Sequence, residues 1–293
     1  MIKQIVNFWN KSGGMLRTGA IMLAAVLVVF AIGQWIAPYG FDQIRGASGR
    51  FEELDPPSPE HFFGTTSQRF DVLSRTVLGF QPAVLTILFS IPIGLFIGIL
   101  AGLAAGYFRG LVDRILSFVS DLLFTFPPLI VSMVISLGLS AGNANFFPAI
   151  LAASVSTGLA YAAKYFRVVR AEVLQLSSAG FIQISRATGI SNSRIIFGQV
   201  LPNSVKVLPV VMSRHAADAV LVLAGLGFLG LGISPEAGAE WGYDLSLAVT
   251  DIIAGVWWTA LFPSLALLSL ILGFSLIAEW LSDNRKSTKA GDV

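Results

Sequence analysis

The chain has 293 residues, of which 55% are hydrophobic and only 12% charged, with a formal net charge of +2; a soluble domain carries about twice that charged fraction, so the composition points into a lipid bilayer. No cysteine is present, and the two histidines, His61 and His215, lie far apart, which excludes disulfides, thiolate chemistry and a multi-histidine metal centre within the subunit. So small a net charge leaves no electrostatic footprint for nucleic acid.

A helix needs about 20 apolar residues to cross a hydrocarbon core of about 30 Å. The first stretch that qualifies is Thr18 to Ala37, "TGAIMLAAVLVVFAIGQWIA". It is longer than the apolar core of a signal peptide and ends in Ile36-Ala37-Pro38 without a small-residue cleavage site, so it reads as a retained membrane helix. The segment from Pro38 to Pro82 follows, turn-rich at "ELDPPSPEHFFG" and then "TTSQRFDVLSRTVLGF", which predicts a short amphipathic helix at the membrane interface.

Five more spans are predicted: Ala83 to Phe108, Ile115 to Leu139, Pro148 to Phe166, Ser204 to Leu231 and Val256 to Leu281. The fourth is rich in Ala, Ser and Thr, residues that let helices approach one another inside a bundle. Prolines interrupt the spans at Pro92, Pro127-Pro128, Pro209 and Pro263; the carbonyls they free must be satisfied by neighbours or water, which favours a transporter or channel over a simple anchor. With the N-terminus inside, the inner segments hold fourteen Lys and Arg and the outer ones four, all in the first loop. Cytoplasmic loops collect these residues, so both termini are expected in the cytoplasm.

The inner loop from Arg167 to Pro202 is half apolar and basic, and predicts two short helices separated at Gly189 on the cytoplasmic face. A docking surface for a cytoplasmic partner and a merely solvated basic loop both fit this pattern. The fifth span carries Arg214, His215 and Asp218. Arg214 and Asp218, four apart, are expected to pair along one helix face, either as a structural ion pair or as a polar patch on a translocation pathway; Asp121 reads as structural.

No catalytic motif is present: there is no G-x-x-x-x-G-K-[ST] loop, no G-x-S-x-G and no H-E-x-x-H. "AGLGFLGLGIS", residues 224 to 234, has the dinucleotide spacing at Gly225, Gly227 and Gly230, with Asp244 at the distance of a ribose ligand. A membrane span precedes it, however, and "ISPEAGAEWG" replaces the helix that should follow. The glycines read instead as packing faces, Gly225 with Gly232 and Gly227 with Gly230, or as a hinge; Gly227, Gly230, Gly232 and Trp241 are gate candidates beside Arg214 and Asp218.

Several stretches carry a family resemblance. "FIQISRATGISNSRIIFGQVLPN" resembles the cytoplasmic signature of binding-protein-dependent ABC transporter permeases through Gly189, Leu201 and Pro202, with Gln183-Ile184-Ser185 in place of Glu-Ala-Ala. "FFGTTSQRFDVLSR" is similar to F-G-T-D-x-x-G-R-D-x-x-S-R of the peptide and nickel branch through Phe63, Gly64, Thr65, Asp71, Ser74 and Arg75, but has Thr66 for Asp and Arg69-Phe70 for Gly-Arg. "LAAGYFRGLVDRILSFVSDLLFTFPPL", "LGFLGLGISPEAGAEWG" and the last span match the same branch, specifically the second permease subunit of dipeptide and oligopeptide systems.

The resemblance implies an all-α polytopic membrane protein with six transmembrane helices in the type I importer (MetI-like) fold, both termini cytoplasmic. Residues 1–79 would form a tail, the first helix and the outer loop, residues 80–285 the permease core with its coupling loop at 167–202, and residues 286–293 a second tail. It implies a permease subunit moving peptides or similar small polar solutes, beside a homologous partner permease, two ABC ATPase subunits that hold ATP and magnesium, and an extracytoplasmic solute-binding protein. No cofactor is expected on this chain. Gln183, Ile184, Ser185, Arg186, Ala187, Gly189, Ser191, Arg194, Ile195 and Phe197 would meet an ATPase. Two alternatives stand beside it: the same architecture serving a metal chelate, a polyamine or export, and an ion-coupled secondary transporter using Arg214 and Asp218. No pair of similarly broken helices marks the inverted repeat the last would show.

Overall fold

The computed structural model describes residues 13–47, 49–140 and 145–291, as backbone alone at 140 and 286–291. Lys3 and Lys11, the side chains of Lys286 and Lys289, and the middle of the loop at 140 to 147 lie outside the described residues. Helix α1 is Gly14–Ile36; a β-hairpin pairs Arg45–Gly46 with Gly49–Arg50; then follow α2 Val72–Leu78, α3 Phe80–Phe108, α4 Gly110–Thr125, α5 Pro128–Ser140 and α6 Phe146–Ser177. Beyond them come α7 Gly180–Ala187, α8 Asn192–Ile195, a π-helical turn Ile196–Val200, α9 Leu201–Ser204, a 3-10 turn Val205–Val207, α10 Leu208–Phe228, α11 Trp241–Ile253 and α12 Trp258–Gly291.

The bundle is organised by α3 against α6. Four glycines at four-residue spacing on α3, Gly94, Gly98, Gly102 and Gly106, form a stripe without side chains, and along it the helix backbones come together as they do at small-residue membrane interfaces. A Cβ at Gly98 would stand 3.0 Å from Ala162 O and Phe166 N, and one at Gly102 2.8 Å from Val169 Cβ. The contacts advance in step, Gly94 on Gly158 and Gly106 on Val173, so α3 and α6 run parallel. The chain must therefore cross back between them, which it does through α4 and α5. These are bent by 98° and together make the sixth crossing, beside five single runs long and apolar enough to span a membrane.

That bend falls at the break expected at Pro127-Pro128, and the span begins at Gly110, earlier than the expected Ile115. Phe126, which precedes Pro127, is extended at φ −96°, ψ 141°, because proline disfavours helical backbone in the residue before it and supplies no N–H itself. Two further boundaries differ. The fourth span does not end at Phe166 but runs on to Ser177, so the loop expected from Arg167 begins about three helical turns later. The fifth is one 37-residue run, Asn192–Phe228, in which the π and 3-10 turns sit beside Pro202 and Pro209, where the regular bonding ladder is interrupted.

Residues 39–47, 49–79 and 229–257 close the end of the bundle where α3 and α6 begin. Helix α2 is there, but it does not float at an interface: Asp71 caps it by accepting from Ser74 N at 2.8 Å, and Val72, Ser74, Arg75 and Thr76 are buried. The segment is stapled to the chain's last third. Trp241 Nε1 donates to Thr76 O at 3.0 Å, Trp258 Nε1 donates to Thr65 O at 3.2 Å, and Phe63 stacks on Phe262 at 3.7 Å. From the opposite end, beyond Ser177, residues 178–200 project.

Candidate functional site

The projection is a helix, a turn and a second helix. Gly189 holds a left-handed backbone at φ +80°, which ends α7 and redirects the chain into α8. Ile182 and Ile195 are fully buried and join one apolar cluster with Val173, Tyr107 and Val200, so the projection is fastened to the ends of α3 and α6. Tyr107 Oη donates to Asn192 Oδ1 at 2.7 Å, and the Arg186 guanidinium lies over the Tyr107 ring at 4.9 Å. With those anchors turned inward, Phe181, Ile184 and Phe197 face outward at 48%, 66% and 63% exposure, next to Arg186 and Arg194. Gln183, Ala187, Gly189 and Ser191 are also exposed. Ser185 and Ile195, expected in contact with a partner, are instead buried: Ser185 Oγ bonds Phe181 O and the Gln199 side chain, and so locks the two arms together.

A second site lies between α4, α6, α10 and α12, in an open cavity of 570 Å³ lined by Phe124, Tyr161, Lys164, Arg167, Arg214, Asp218 and Glu279 among others. The expected pair of Arg214 with Asp218 is not formed. Lys164 Nζ lies 3.4 Å from Asp218 Oδ2, and Arg214 Nη2 lies 3.8 Å from Glu279 Oε2. Tertiary neighbours on α6 and α12 outcompete the local helical partner, because a four-residue pair between exposed side chains is worth only about 0.2–0.5 kcal/mol. Asp121 pairs with Arg167 at 2.8 Å. Behind this wall His215 stacks on Tyr161 at 4.1 Å and shares a hydrogen bond with Tyr165 Oη at 2.9 Å. Among the described residues no cluster of three or more His, Asp or Glu could hold a metal ion.

The glycine motif belongs to the opposite end. Gly227 lies within α10, but that helix stops at Phe228, so the two predicted glycine faces do not exist. Gly230 N–H donates to Gly227 O at 2.9 Å and Leu231 N–H to Leu226 O at 2.8 Å, with Gly230 left-handed at φ +75°. This is a Schellman cap. Gly232 then folds back until a Cβ there would stand 2.7 Å from Gly227 Cα. Into this corner points Glu240, fully buried, its carboxylate accepting from Gly242 N at 2.8 Å and Tyr243 N at 3.0 Å as the cap of α11. Burial pushes the Glu240 carboxyl up to about 8. Trp241, expected at a gate, is 3% exposed and packs edge-on against Phe80; it holds α11 to the start of α3.

Residues 94–287 match the family described as binding-protein-dependent transport system inner membrane component. The chain belongs to this family. It is 33% identical over 279 residues to the glutathione transport system permease protein GsiD of Escherichia coli and to that of Shigella boydii, and 31% identical over 285 residues to that of Pectobacterium atrosepticum. Each alignment covers 94% of this chain and 88% of the relative.

This inner membrane component is thus a multi-pass ABC importer permease of the peptide and nickel branch, a transport subunit whose ATP hydrolysis belongs to separate chains. The family match takes in the projection, the charged cavity and the Glu240 corner, and stops short of the capping segment at 39–79. Two features of the permease were missed in the sequence. The Gly94, Gly98, Gly102, Gly106 stripe was legible as a four-residue repeat. Glu240 carried one signal, a lone carboxylate directly before a helix that begins Trp-Gly.

Proposed function

We propose that this chain carries peptides or closely related small polar solutes inward across the cytoplasmic membrane, with both termini in the cytoplasm. It would work beside a homologous partner permease, two ATPase subunits that bind ATP and magnesium, and a solute-binding protein outside. The glutathione named in the relatives' descriptions supports the solute class, and the excess of Lys and Arg in the inner segments supports the orientation.

The observation that carries this reading is the projection at 178–200. An exposed apolar face of Phe181, Ile184 and Phe197 flanked by Arg186 and Arg194 suits a groove on a protein partner better than solvent. Its inner side is anchored by Ile182 and Ile195, and one arm continues into the 37-residue run that ends at Phe228. Movement of the face by an ATPase would therefore be transmitted as movement of a whole helix, so that ATP-driven closure biases the permease pair between inward-facing and outward-facing states. Copurification tests this directly. Ile184→Asp and Phe197→Asp should abolish recovery of the ATPase subunits with the chain and leave its thermal unfolding midpoint unchanged. Undiminished recovery in both variants, or transport by the chain alone, would overturn the reading.

A further inference from the structure

We infer that the charged cavity between α6, α10 and α12 is a solute station, where Arg214 receives the carboxylate of a peptide-like solute during passage. The inference rests on the proposed transport function and adds a contact residue to it.

The cavity is open, its five charged side chains being 34–62% exposed. Lys164 stands eighteen residues after the start of α6 at Phe146, about 27 Å along the helix axis, which puts it near the inner end of a span of about 30 Å. Ionised side chains within spans are costly against lipid, and almost always face a bundle interior or a water-filled space. Here Lys164, Arg167, Arg214, Asp218 and Glu279 converge from three helices on one space of 570 Å³, within the range of about 300–1,000 Å³ usual for small-molecule sites.

The ion pairs in this space differ in quality. Arg167 to Asp121 is tight at 2.8 Å, and Arg170 forks onto both oxygens of Asp113 nearby; these are close structural pairs. Arg214 to Glu279 at 3.8 Å and Lys164 to Asp218 at 3.4 Å are loose, longer than the roughly 2.7–2.9 Å of a charge-assisted hydrogen bond. Arg214 is also 62% exposed, the most open of the cavity's three cations. A planar guanidinium with an unfilled fork matches a carboxylate in shape and charge. The second loose cation, Lys164, is steered by the Tyr161 ring beneath it at 4.0 Å. A solute carboxylate would thus replace a poor internal partner at Arg214, and the balance of charge in the cavity would survive because Asp218, beside Lys164, remains for the solute's ammonium group.

The test uses the whole assembly in proteoliposomes with its binding protein, with labelled glutathione and trialanine as probes. Arg214→Gln should lower ATP-dependent uptake of both about tenfold, the loss expected for one charged hydrogen bond. Arg214→Lys should retain most of the uptake. Glu279→Gln, which frees Arg214, should match or exceed the unmodified assembly. The ATPase rate stimulated by the binding protein should stay unchanged in all three. Equal losses in Arg214→Gln and Glu279→Gln would reduce the pair to a structural one, and so overturn the inference. Unchanged uptake in Arg214→Gln, or a parallel loss of uptake and ATPase rate, would overturn it as well. No ATP-dependent uptake of either probe by the unmodified assembly would instead remove the proposed solute class, and the station with it.

Discussion

Arg75 Nε donates to Asp244 Oδ1 at 2.7 Å across 169 residues of sequence, with side chains only 1% and 5% exposed. Arg75 ends the run "FDVLSR" in the capping segment, and Asp244 lies in the first turn of α11, so this contact helps join the two parts that close one end of the bundle. Removing one partner leaves the other charge buried and unpaired, which costs about 3–5 kcal/mol. Arg75→Met or Asp244→Asn should therefore lower the thermal unfolding midpoint of the purified chain sharply, and the double variant Arg75→Met with Asp244→Leu should recover most of the loss.

Glu240 makes this same end sensitive to pH. Its carboxyl rises from an ordinary 4.5 to about 8 because burial outweighs the two backbone N–H bonds that favour the anion; Asp244 adds to the rise and Arg75 opposes it. Between those two values the folded state holds a proton that the unfolded state has released, so stability falls as pH climbs. The thermal midpoint should decline from about pH 4.5 to about pH 8 and then level off, and Glu240→Gln should flatten that slope.

The glycine stripe on α3 gives a packing prediction. At Gly98 the space for a side chain is occupied by Tyr165 and by the backbone of Ala162 and Phe166, none of which can rotate away. Gly98→Leu should separate α3 from α6 at a cost of at least about 1–3 kcal/mol, read as a lower midpoint and a smaller yield of folded chain. Gly110→Ala, at a glycine with open space but a φ of +60°, should show the backbone strain without the clash and lose less.

Gly230 separates conformation from contact. A Cβ there meets nothing within 4 Å, but φ is +75°, a region that costs an ordinary residue about 1–2 kcal/mol. Gly230→Val should block uptake by disturbing the end of α10, while the ATPase subunits still copurify. Gly230→Asn, tolerated in left-handed caps, should transport near the unmodified rate.

Arg69 shows how a departure in sequence becomes readable in structure. It stands where the branch's pattern has glycine, and it keeps the left-handed backbone that glycine would supply, at φ +70°. The strain is offset by its side chain, which donates to Phe51 O at 3.0 Å and pairs with Glu53 at 2.7 Å. The turn is preserved and only the means differ.

Apolar length alone located the membrane helices, because each crossing must satisfy its own backbone and so reads as an unbroken run of local composition. Pro127-Pro128 marked a break, and Gly189 marked where the projection turns, since proline and glycine act on the backbone at their own position. What the sequence could not decide was the angle of the break, the continuation of α6 to Ser177, or the partner of any charge. Arg214 had a plausible neighbour four residues on and took Glu279 instead; Asp244 looked like a ribose ligand and holds Arg75. Local pairing is weak enough for the packing of distant helices to override it, and that packing, set here by four glycines on α3 against α6, is decided only when the chain is folded.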